Sequence, residues 1–512
     1  MQTAGRVIKN TGYLYAKMGI TMFVSLYTTR LLLNALGASD FGIFNVVGGA
    51  IAMLGFLNAA MASATQRFMS YSEGEGNKTK QKSIFNISVV LHFFIAIIAG
   101  IVLLIAGHFF FNGILKMPED RVHTAHLVYY CMIISTMLTV MTVPYDAVLN
   151  AHENMLYYAI VGIIESGLKL GAAFFVVHTL QDKLIVYGVL MAGISLVIML
   201  IMRVYCHRKY VECTFSPRRY YDKKLMREMT GFAGWNLLAA SSGIVTQYGL
   251  SIVLNSFWGA ILNAAQGIAN QISGQLMVFS NMMMKALNPV IVKSEGGGNR
   301  QLMLNAAMIG AKSSFFLLAL FAIPFMIDAP FILEKWLKNV PEWAILFTRL
   351  QLLRFLLEQC TIMIAGTIGA QGDIKGYTTI RSFVNFLPIS LTALLFHWGY
   401  PPYYLYVTWI ICWSIVGGII VLYFAHKKCD LSYLTYFKNV LLLTFVISVL
   451  MVGVGILISL LMEEGMLRLI TIGLTTSATF VLLYYSFFMP AEEKLILKNL
   501  NIILRRKLSS KF

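Results

Sequence analysis

Long apolar segments recur along this chain of 512 residues and constrain its fold more than any other feature. A bilayer core about 30 Å thick requires about 20 apolar residues per helix. Fourteen segments reach that length, near residues 13–36, 42–66, 84–111, 124–148, 157–178, 184–206, 231–256, 261–290, 305–328, 345–369, 380–398, 404–425, 439–461 and 467–489. The sequence therefore predicts an all-α polytopic membrane protein with about fourteen transmembrane helices.

The composition also favours a membrane class over a soluble one. Apolar residues make up 58% of the chain and charged residues 12%, against roughly 45–50% and about 25% in soluble domains. The six cysteines are scattered without a CxxC motif, and neither the GxxxxGK(S/T) phosphate loop nor HExxH occurs. We therefore expect no metal, no cofactor and no catalytic residues.

Lysine and arginine are distributed unevenly between the two sides of the predicted membrane. With a cytoplasmic N-terminus, 27 of these residues fall in cytoplasmic loops and termini and six on the opposite side, as the positive-inside rule requires. We therefore expect both termini in the cytoplasm. The net charge of +17 then reflects orientation and contact with anionic membrane lipids, so no nucleic-acid partner is expected.

Two predicted cytoplasmic loops share a sequence motif. Ser72–Lys78 (SEGEGNK) follows the second segment, and Ser294–Arg300 (SEGGGNR) follows the eighth, 222 residues later. Any single match of this kind arises by chance, but others at similar offsets, such as Leu33-Asn34 with Leu254-Asn255, favour a duplication. A repeat of six helices keeps its orientation, as in transporters whose two lobes alternate access to a central site.

The duplication predicts a division of the chain. We expect two parallel-related six-helix lobes over residues 1–206 and 231–425, joined by a basic cytoplasmic linker over 207–230. Two additional transmembrane helices follow over 426–490. Apolar and basic residues alternate at helical spacing over 491–512, which predicts an amphipathic helix at the membrane surface.

Charged side chains inside the predicted helices are costly, at about 2.5–3.5 kcal/mol each near a helix centre. Glu165–Lys169 and Arg354–Glu358 are pairs at i,i+4 spacing that can neutralise each other. Three cations lack such a partner, so a positive cavity that favours an anionic substrate is expected unless Asp146 or Asp328 reaches them. These three cations are Lys17, Arg30 and Arg349. The acids Glu165, Glu358 and Asp146 are candidates for carrying a coupling proton, with a structural role in ion pairs as the alternative.

Polar uncharged residues gather in the seventh and eighth segments. Hydrogen bonds between helices explain part of this set, and the remainder are candidates for binding sugar hydroxyls. The residues concerned are Asn236, Gln247, Asn263, Gln266 and Asn270.

Several short motifs resemble those of a known family. They include Asn10–Tyr15 (NTGYLY), Ser25–Arg30 (SLYTTR), Leu33–Gly37 (LNALG) and Asp40–Asn45 (DFGIFN), and they continue with Gln66-Arg67-Phe68, Pro144-Tyr145 and Asn150–Glu153 (NAHE). On these motifs the chain resembles the polysaccharide (O-antigen and capsule) flippases of the multidrug, oligosaccharidyl-lipid and polysaccharide exporter superfamily.

The resemblance implies a function and partners. It implies movement of undecaprenyl-diphosphate-linked oligosaccharide from the cytoplasmic to the outer leaflet of a bacterial inner membrane. Lys17 and Arg30 would contact the phosphates, Arg349 and Arg354 would supply charge from the second lobe, and the polar residues of the seventh and eighth segments would line a sugar path. The lipid-linked oligosaccharide, membrane lipids, and glycan polymerase and chain-length machinery would be its partners.

Two other functions remain open. A multidrug exporter of the same superfamily, coupled to sodium or protons, typically requires an acid in the first helix or its equivalent, whereas this sequence has Lys17 and Arg30 there. A membrane glycan polymerase or ligase would rely on a large outward loop with Arg or His, and the largest outward loop, residues 328–343, offers only Lys335 and Lys338. We therefore favour a flippase, which is not an enzyme.

Overall fold

The computed structural model describes residues 2–52, 55–111, 119–337 and 340–488. These residues are almost entirely helical and contain no strand. The predicted amphipathic tail over 491–512 lies outside them. The helices of the first half are α1 Gln2–Ala52, α2 Gly55–Glu75, α3 Lys78–Phe109, α4 Val122–Ala151, α5 Met155–His178 and α6 Lys183–Lys209.

The second half continues in the same manner. A π-helical stretch, Ile410–Val416, joins the helices Tyr404–Trp409 and Gly417–Cys429, and another, Phe437–Leu441, joins the helices Tyr433–Tyr436 and Leu442–Leu461. The helices are α7 Lys223–Trp258, α8 Ala260–Gly296, α9 Arg300–Ile327, α10 Ala329–Leu337, α11 Ala344–Gln371, α12 Lys375–His397, α13 Tyr404–Trp409, α14 Gly417–Cys429, α15 Tyr433–Tyr436, α16 Leu442–Leu461 and α17 Met466–Leu483.

Side chains at the loop ends set several helix starts. Asn77, Asn154 and Asp182 each accept a hydrogen bond from a backbone N–H in the first turn of α3, α5 and α6 respectively. Such N-caps satisfy donors that a helix cannot pair internally. Inside a bilayer the helix pairs the remaining backbone groups, which is why apolar segments of this length become helices.

Twelve helices of the described residues are long and apolar enough to cross a membrane, which confirms the polytopic all-α class. The predicted number of fourteen is not confirmed. The two predicted segments without such a helix are 42–66 and 261–290, although the chain is helical there in α1, α2 and α8. Polar side chains lower the hydropathy of 261–290, whereas 42–66 includes residues 53–54, which lie outside the described ranges. The two segments occupy equivalent places in the two repeats.

The backbone repeats its geometry at the spacing of the two motifs. Gly76 and Gly298, 222 residues apart, both adopt positive φ, at 70° and 71°. Their amides donate to the carbonyl oxygens of Glu73 and Glu295, over 3.1 and 3.0 Å. Helices commonly end at a residue with positive φ, and glycine adopts it at no steric cost. The shared motif is therefore a repeated helix end.

The described residues pack into two compact units. The N-terminal unit comprises Asn10–Ser241 and Val292–Asn299, and the C-terminal unit comprises Met1–Lys9, Ser242–Ile291 and Arg300–Phe512. Each contains its own buried apolar clusters, such as that around Val128 and Tyr129 in the first and that around Leu352 and Ile447 in the second. The lobe limits drawn from the sequence stay predictions.

Within the N-terminal unit the two motifs contact each other. A Cβ atom at Gly74 would lie 2.0 Å from the carbonyl oxygen of Lys293, and one at Gly296 would lie 2.1 Å from the carbonyl oxygen of Tyr71. Gly74 and Gly296 are 222 residues apart, as are Tyr71 and Lys293, so the two contacts are equivalent under the repeat. The absence of a side chain at these glycines allows the two helix ends to meet backbone to backbone.

Candidate functional site

A small polar cavity lies among the membrane-spanning helices of the N-terminal unit, and we call it the Lys17 cavity. Its volume is about 130 Å³, which is below the roughly 300–1,000 Å³ of small-molecule pockets. It has room for a few water molecules or a small ion, but not for an oligosaccharide. The residues that carry chemistry in its wall are Lys17, Thr139, Thr142, Asp146, Tyr158, Glu165 and Ser195.

Helix α5 positions the ammonium of Lys17. The Lys17 Nζ lies 4.0 Å from the ring centre of Tyr158, a cation–π distance. A Cβ atom at Gly162 would lie 2.1 Å from the Lys17 Cε. The side chain of Lys17 therefore crosses α5 at Gly162, one turn beyond Tyr158, where no side chain blocks it.

Two carboxylates share this cavity with Lys17. Asp146 reaches it from α4 and Glu165 from α5. Lys169 Nζ donates to Glu165 Oε1 over 2.6 Å, so the predicted pair at i,i+4 forms. The structure thus brings together Lys17, a predicted anion-binding residue, and Asp146 and Glu165, two predicted coupling acids. An ammonium, carboxylates and a phenol around a few waters can bind an anion or exchange a proton.

The C-terminal unit holds a second charged cluster inside its helices. Arg354 on α11 is only 3% exposed and pairs with Glu358 one turn later. Its Nε donates to Gln351 Oε1 over 3.2 Å, and Gln351 Nε2 donates to Asn270 Oδ1 over 3.0 Å. Its Cζ lies 4.1 Å from a ring centre of Trp409. The predicted Arg354–Glu358 pair therefore forms, and it is enclosed by protein groups.

The other two predicted phosphate ligands lie apart from these clusters. Arg349 donates from Nε to the carbonyl oxygen of Met326 over 2.7 Å and from Nη2 to that of Ile327 over 3.3 Å. It thus satisfies carbonyl groups at the end of α9, where a cation also offsets the helix dipole. Arg30 is an exposed residue of α1.

The predicted sugar-path residues divide by their partners. Gln266 Oε1 accepts from Ser251 Oγ over 2.8 Å, and Asn236 Nδ2 donates to Ser63 Oγ over 3.4 Å. Asn270 is bonded to Gln351. Three of the five predicted sugar-path side chains therefore form hydrogen bonds to side chains of neighbouring helices. Gln247 is exposed, and the buried Asn263 Oδ1 has no hydrogen-bond partner among the described residues.

An apolar groove lies in the C-terminal unit between α9, α11 and the α15–α16 segment. Its volume is about 710 Å³, and its wall includes Phe315, Leu353, Leu357, Phe445 and Val449. The additional helices after residue 426 form one side of it. No sequence signal indicated this groove, because apolar residues are expected on every membrane helix.

Charged residues of the loops form ion-pair clusters that the sequence did not reveal. Arg121 contacts Asp40, within one of the family-like motifs, and its Nη1 lies 2.8 Å from Asp182 Oδ2. In the C-terminal unit Asp328 pairs with Arg468, a partner other than the three intramembrane cations considered for it. These pairs join helix ends that are far apart in sequence, which local patterns do not encode.

A third loop cluster centres on His152, within another of the motifs. Its Nδ1 lies 3.4 Å from Glu73 Oε1, and its Nε2 contacts Glu212 Oε1. Burial alone would raise the pKa of the Glu212 carboxyl, but hydrogen bonds from His152 and from the backbone, together with the charges of His152 and Lys78, hold that pKa below its usual 4.5. His152 therefore connects the end of α2 to the loop after α6.

We expect His152→Ala to destabilise the protein by about 1–3 kcal/mol, because it leaves the buried Glu212 carboxylate without its hydrogen-bond partner. Since folding lowers the pKa of Glu212, its contribution is present above about pH 4.5 and is lost as pH falls through the lower folded value. When the pH is lowered from 7 to 3, the melting temperature of the Glu212→Gln variant should therefore fall less than that of the unmodified protein. Equal falls would contradict this role.

Known proteins share this fold and part of this sequence. A MATE protein in a bent conformation superposes with a TM-score of 0.73 at 14% identity, over 84% of this chain and 96% of that one. An outward-facing multidrug resistance MATE family transporter of the MOP superfamily superposes with a TM-score of 0.70 at 15% identity, over 83% of this chain and 95% of that one. A MOP superfamily transporter from Pyrococcus furiosus is described as having a binding pocket of reverse polarity. It superposes with a TM-score of 0.67 at 14% identity, over 83% of this chain and 95% of that one.

These similarities show the fold, which is that of the MATE transporters. Comparison with curated proteins finds no match. The sequence profile of a family described as polysaccharide biosynthesis protein matches residues 7–295. This match covers more than half of the chain and contains all of the family-like motifs between Asn10 and Glu153. The chain is therefore a multi-pass membrane protein that belongs to the polysaccharide biosynthesis protein family.

Proposed function

We propose that this protein moves an undecaprenyl-diphosphate-linked oligosaccharide from the cytoplasmic to the outer leaflet of a bacterial inner membrane by alternating access. Both of its termini lie in the cytoplasm in this proposal. The ammonium of Lys17 inside a membrane-spanning helix, in a chain of the polysaccharide biosynthesis family, is the observation that carries it. An intramembrane cation is costly, and it marks a functional site more often than a structural one.

The diphosphate is the part of the substrate that suits Lys17. The aromatic face of Tyr158 stabilises the ammonium without neutralising it. Of the two carboxylates in the cavity, Glu165 is already bound to Lys169. Because the low dielectric of a protein interior strengthens the attraction between opposite charges, a phosphate beside this cavity would gain most of its binding from Lys17.

Arg349 and Arg354 have other partners in this conformation. Arg349 is bonded to the end of α9, and Arg354 is enclosed by Glu358, Gln351 and Trp409. A direct contact with the diphosphate therefore requires a second conformation in which these bonds are exchanged. Alternating access provides such a change of state.

The apolar groove of the C-terminal unit suits the lipid part of the substrate. Its wall is almost entirely aliphatic and aromatic, and its 710 Å³ exceeds what a few lipid methylenes occupy. A polyprenyl chain lying in it would remain in an apolar medium while the diphosphate and the sugars crossed inside the protein. Asn263 and Gln247 are the predicted sugar-path residues whose side chains remain available for sugar hydroxyls.

We expect Lys17→Gln to reduce translocation by roughly 10- to 100-fold, because a hydrogen bond to a charged group is worth about 1.5–3 kcal/mol. The measurement is the amount of lipid-linked repeat unit retained at the cytoplasmic leaflet of a deletion strain that carries each variant at equal membrane abundance. Lys17→Arg keeps the charge and should retain more activity. If Lys17→Gln translocates normally, Lys17 does not bind the substrate.

A multidrug exporter coupled to an ion is the second candidate. The two carboxylates in the Lys17 cavity and the MATE fold favour it, because Asp146 and Glu165 can exchange protons there. Dye efflux from cells distinguishes the two functions. Resistance that depends on Asp146 and leaves polysaccharide display unchanged would support the exporter, whereas accumulation of lipid-linked repeat units without any effect on dye would support the flippase. A change in polymer length alone would indicate a polymerase or ligase.

A further inference from the structure

A basic pocket lies at the loop end of the N-terminal unit, between the start of α3 and the loop that precedes α7. Its volume is about 660 Å³, within the range of small-molecule pockets. Three cations line it, Lys82 from α3 and Arg219 and Lys223 from the loop and the start of α7, together with Tyr220 and the hydroxyl-bearing Thr79 and Ser83. The predicted orientation places this pocket on the cytoplasmic side.

A buried side chain holds the loop against α3. Asn86 is 1% exposed. Its Nδ2 donates to the carbonyl oxygen of Thr214 over 2.8 Å, and its Oδ1 accepts from the amide of Ser216 over 2.7 Å. These two bonds position the loop three residues before Arg219, so the pocket is built by the fold and does not depend on chance contact between surface side chains.

The cations in this pocket are not neutralised by carboxylates. The ring of Tyr220 lies between two of them, with its centre 5.8 Å from Lys82 Nζ and 5.6 Å from Arg219 Cζ. Within the described ranges none of the three forms an ion pair. Asp222 also lines the pocket, but its Oδ1 accepts from the amides of Lys224 and Leu225 and so caps α7.

The start of α3 adds to this positive potential. Thr79, Lys82 and Ser83 lie in its first two turns, where the helix dipole places partial positive charge and favours anions. Hydroxyl groups and a bidentate guanidinium are the donors that suit the tetrahedral oxygens of a phosphoryl group. The pocket therefore combines charge, donors and a fixed loop around a space of the right size.

We propose that this pocket binds the phosphoryl group of an anionic ligand, either the headgroup of an anionic glycerophospholipid or a free phosphate. The site is separate from the Lys17 cavity and does not depend on the proposed translocation. Its occupation would add contacts between the loop after α6 and the start of α3, which Asn86 already joins.

The experiment compares two double variants of the full chain. Arg219→Ala/Lys223→Ala removes two cations of the pocket, and Arg218→Ala/Lys224→Ala removes two exposed neighbours that do not line it. Both lower the charge equally, and all four side chains are exposed, so both proteins should fold. Retention of phosphatidylglycerol over phosphatidylcholine is measured by native mass spectrometry from mixed vesicles, and inorganic phosphate binding by calorimetry in detergent.

We expect at least a tenfold loss of binding for the pocket variant and less than a twofold change for the neighbour variant. Loss of phosphatidylglycerol binding, with no phosphate binding by the unmodified protein, identifies the lipid headgroup as the ligand. Loss of phosphate binding in detergent identifies free phosphate. Equal losses in the two variants, or no binding of either probe by the unmodified protein, would overturn the site. If the pocket double variant fails to fold, Lys82→Gln provides the same comparison.

Discussion

Arg354→Met is expected to destabilise the protein by about 3–5 kcal/mol, because it leaves Glu358 inside the C-terminal unit without its counter-charge. It also removes the donor to Gln351 Oε1 and the cation beside Trp409. The cost should appear as a lower melting temperature in detergent and as a smaller yield of folded protein from membranes. The measurement needs no knowledge of the substrate.

Two further variants separate the buried charge from other effects. Arg354→Met with Glu358→Met should recover much of the loss, because replacing both members of a buried pair by apolar groups is often neutral. Arg300→Met removes one member of a pair with side chains 41% and 74% exposed, and an exposed pair contributes at most about 1 kcal/mol. If the Arg354 and Arg300 variants lost equal stability, Arg354 would not be a buried ionic partner.

Gly74→Ala is expected to have the second large effect. The added methyl would lie 2.0 Å from the carbonyl oxygen of Lys293 and 2.9 Å from the amide nitrogen of Gly297. Both neighbours are backbone atoms, so no side-chain rotation relieves the contact, and overpacking of this kind costs about 1–3 kcal/mol or more. Gly296→Ala meets the Tyr71 carbonyl oxygen at 2.1 Å and should cost a similar amount.

Nearby glycines provide the controls for this prediction. At Gly297 the nearest atom to an added methyl is 3.3 Å away, and at Gly12 nothing lies within 4 Å. Gly297→Ala should cost less than Gly74→Ala, and Gly12→Ala should stabilise α1 by about 0.5–1 kcal/mol because alanine loses less entropy in a helix. Thermal unfolding of the four variants tests the order. Equal stability of Gly74→Ala and Gly297→Ala would mean that the two motifs do not meet closely.

Much of the fold could be predicted from the sequence because the relevant signals are local. Apolar length gives the helices, and the SEGEGNK and SEGGGNR motifs give equivalent helix ends with glycine at positive φ. The predicted number of fourteen spans is not confirmed, because segments 42–66 and 261–290 contain no helix with the length and hydropathy of a span within the described residues. Segment 261–290 is helical but carries many polar side chains, and segment 42–66 includes residues 53–54, which lie outside the described ranges.

The candidate site could be predicted only in part. Lys17, Asp146 and Glu165 were each identified as unusual intramembrane charges, but three different helices contribute them, so their meeting in one cavity was not visible. Tyr158 and Gly162, which position Lys17, carry no charge and gave no signal. Arg349 lacks an intrahelical acidic partner in the sequence, but in the structure it donates hydrogen bonds to backbone carbonyl groups, which no residue pattern encodes.

The membrane class, the repeated helix-end motif and the i,i+4 pairs follow from the amino-acid sequence alone, because each is formed by residues within a few turns of one another. Which charges are enclosed and which line a cavity depends on the packing of the helices. Arg354 and Lys17 are both cations within predicted helices, yet the first is surrounded by Glu358, Gln351 and Trp409 and the second faces a polar space. That difference arises from neighbouring helices, since desolvation and pairing depend on groups distant in the chain.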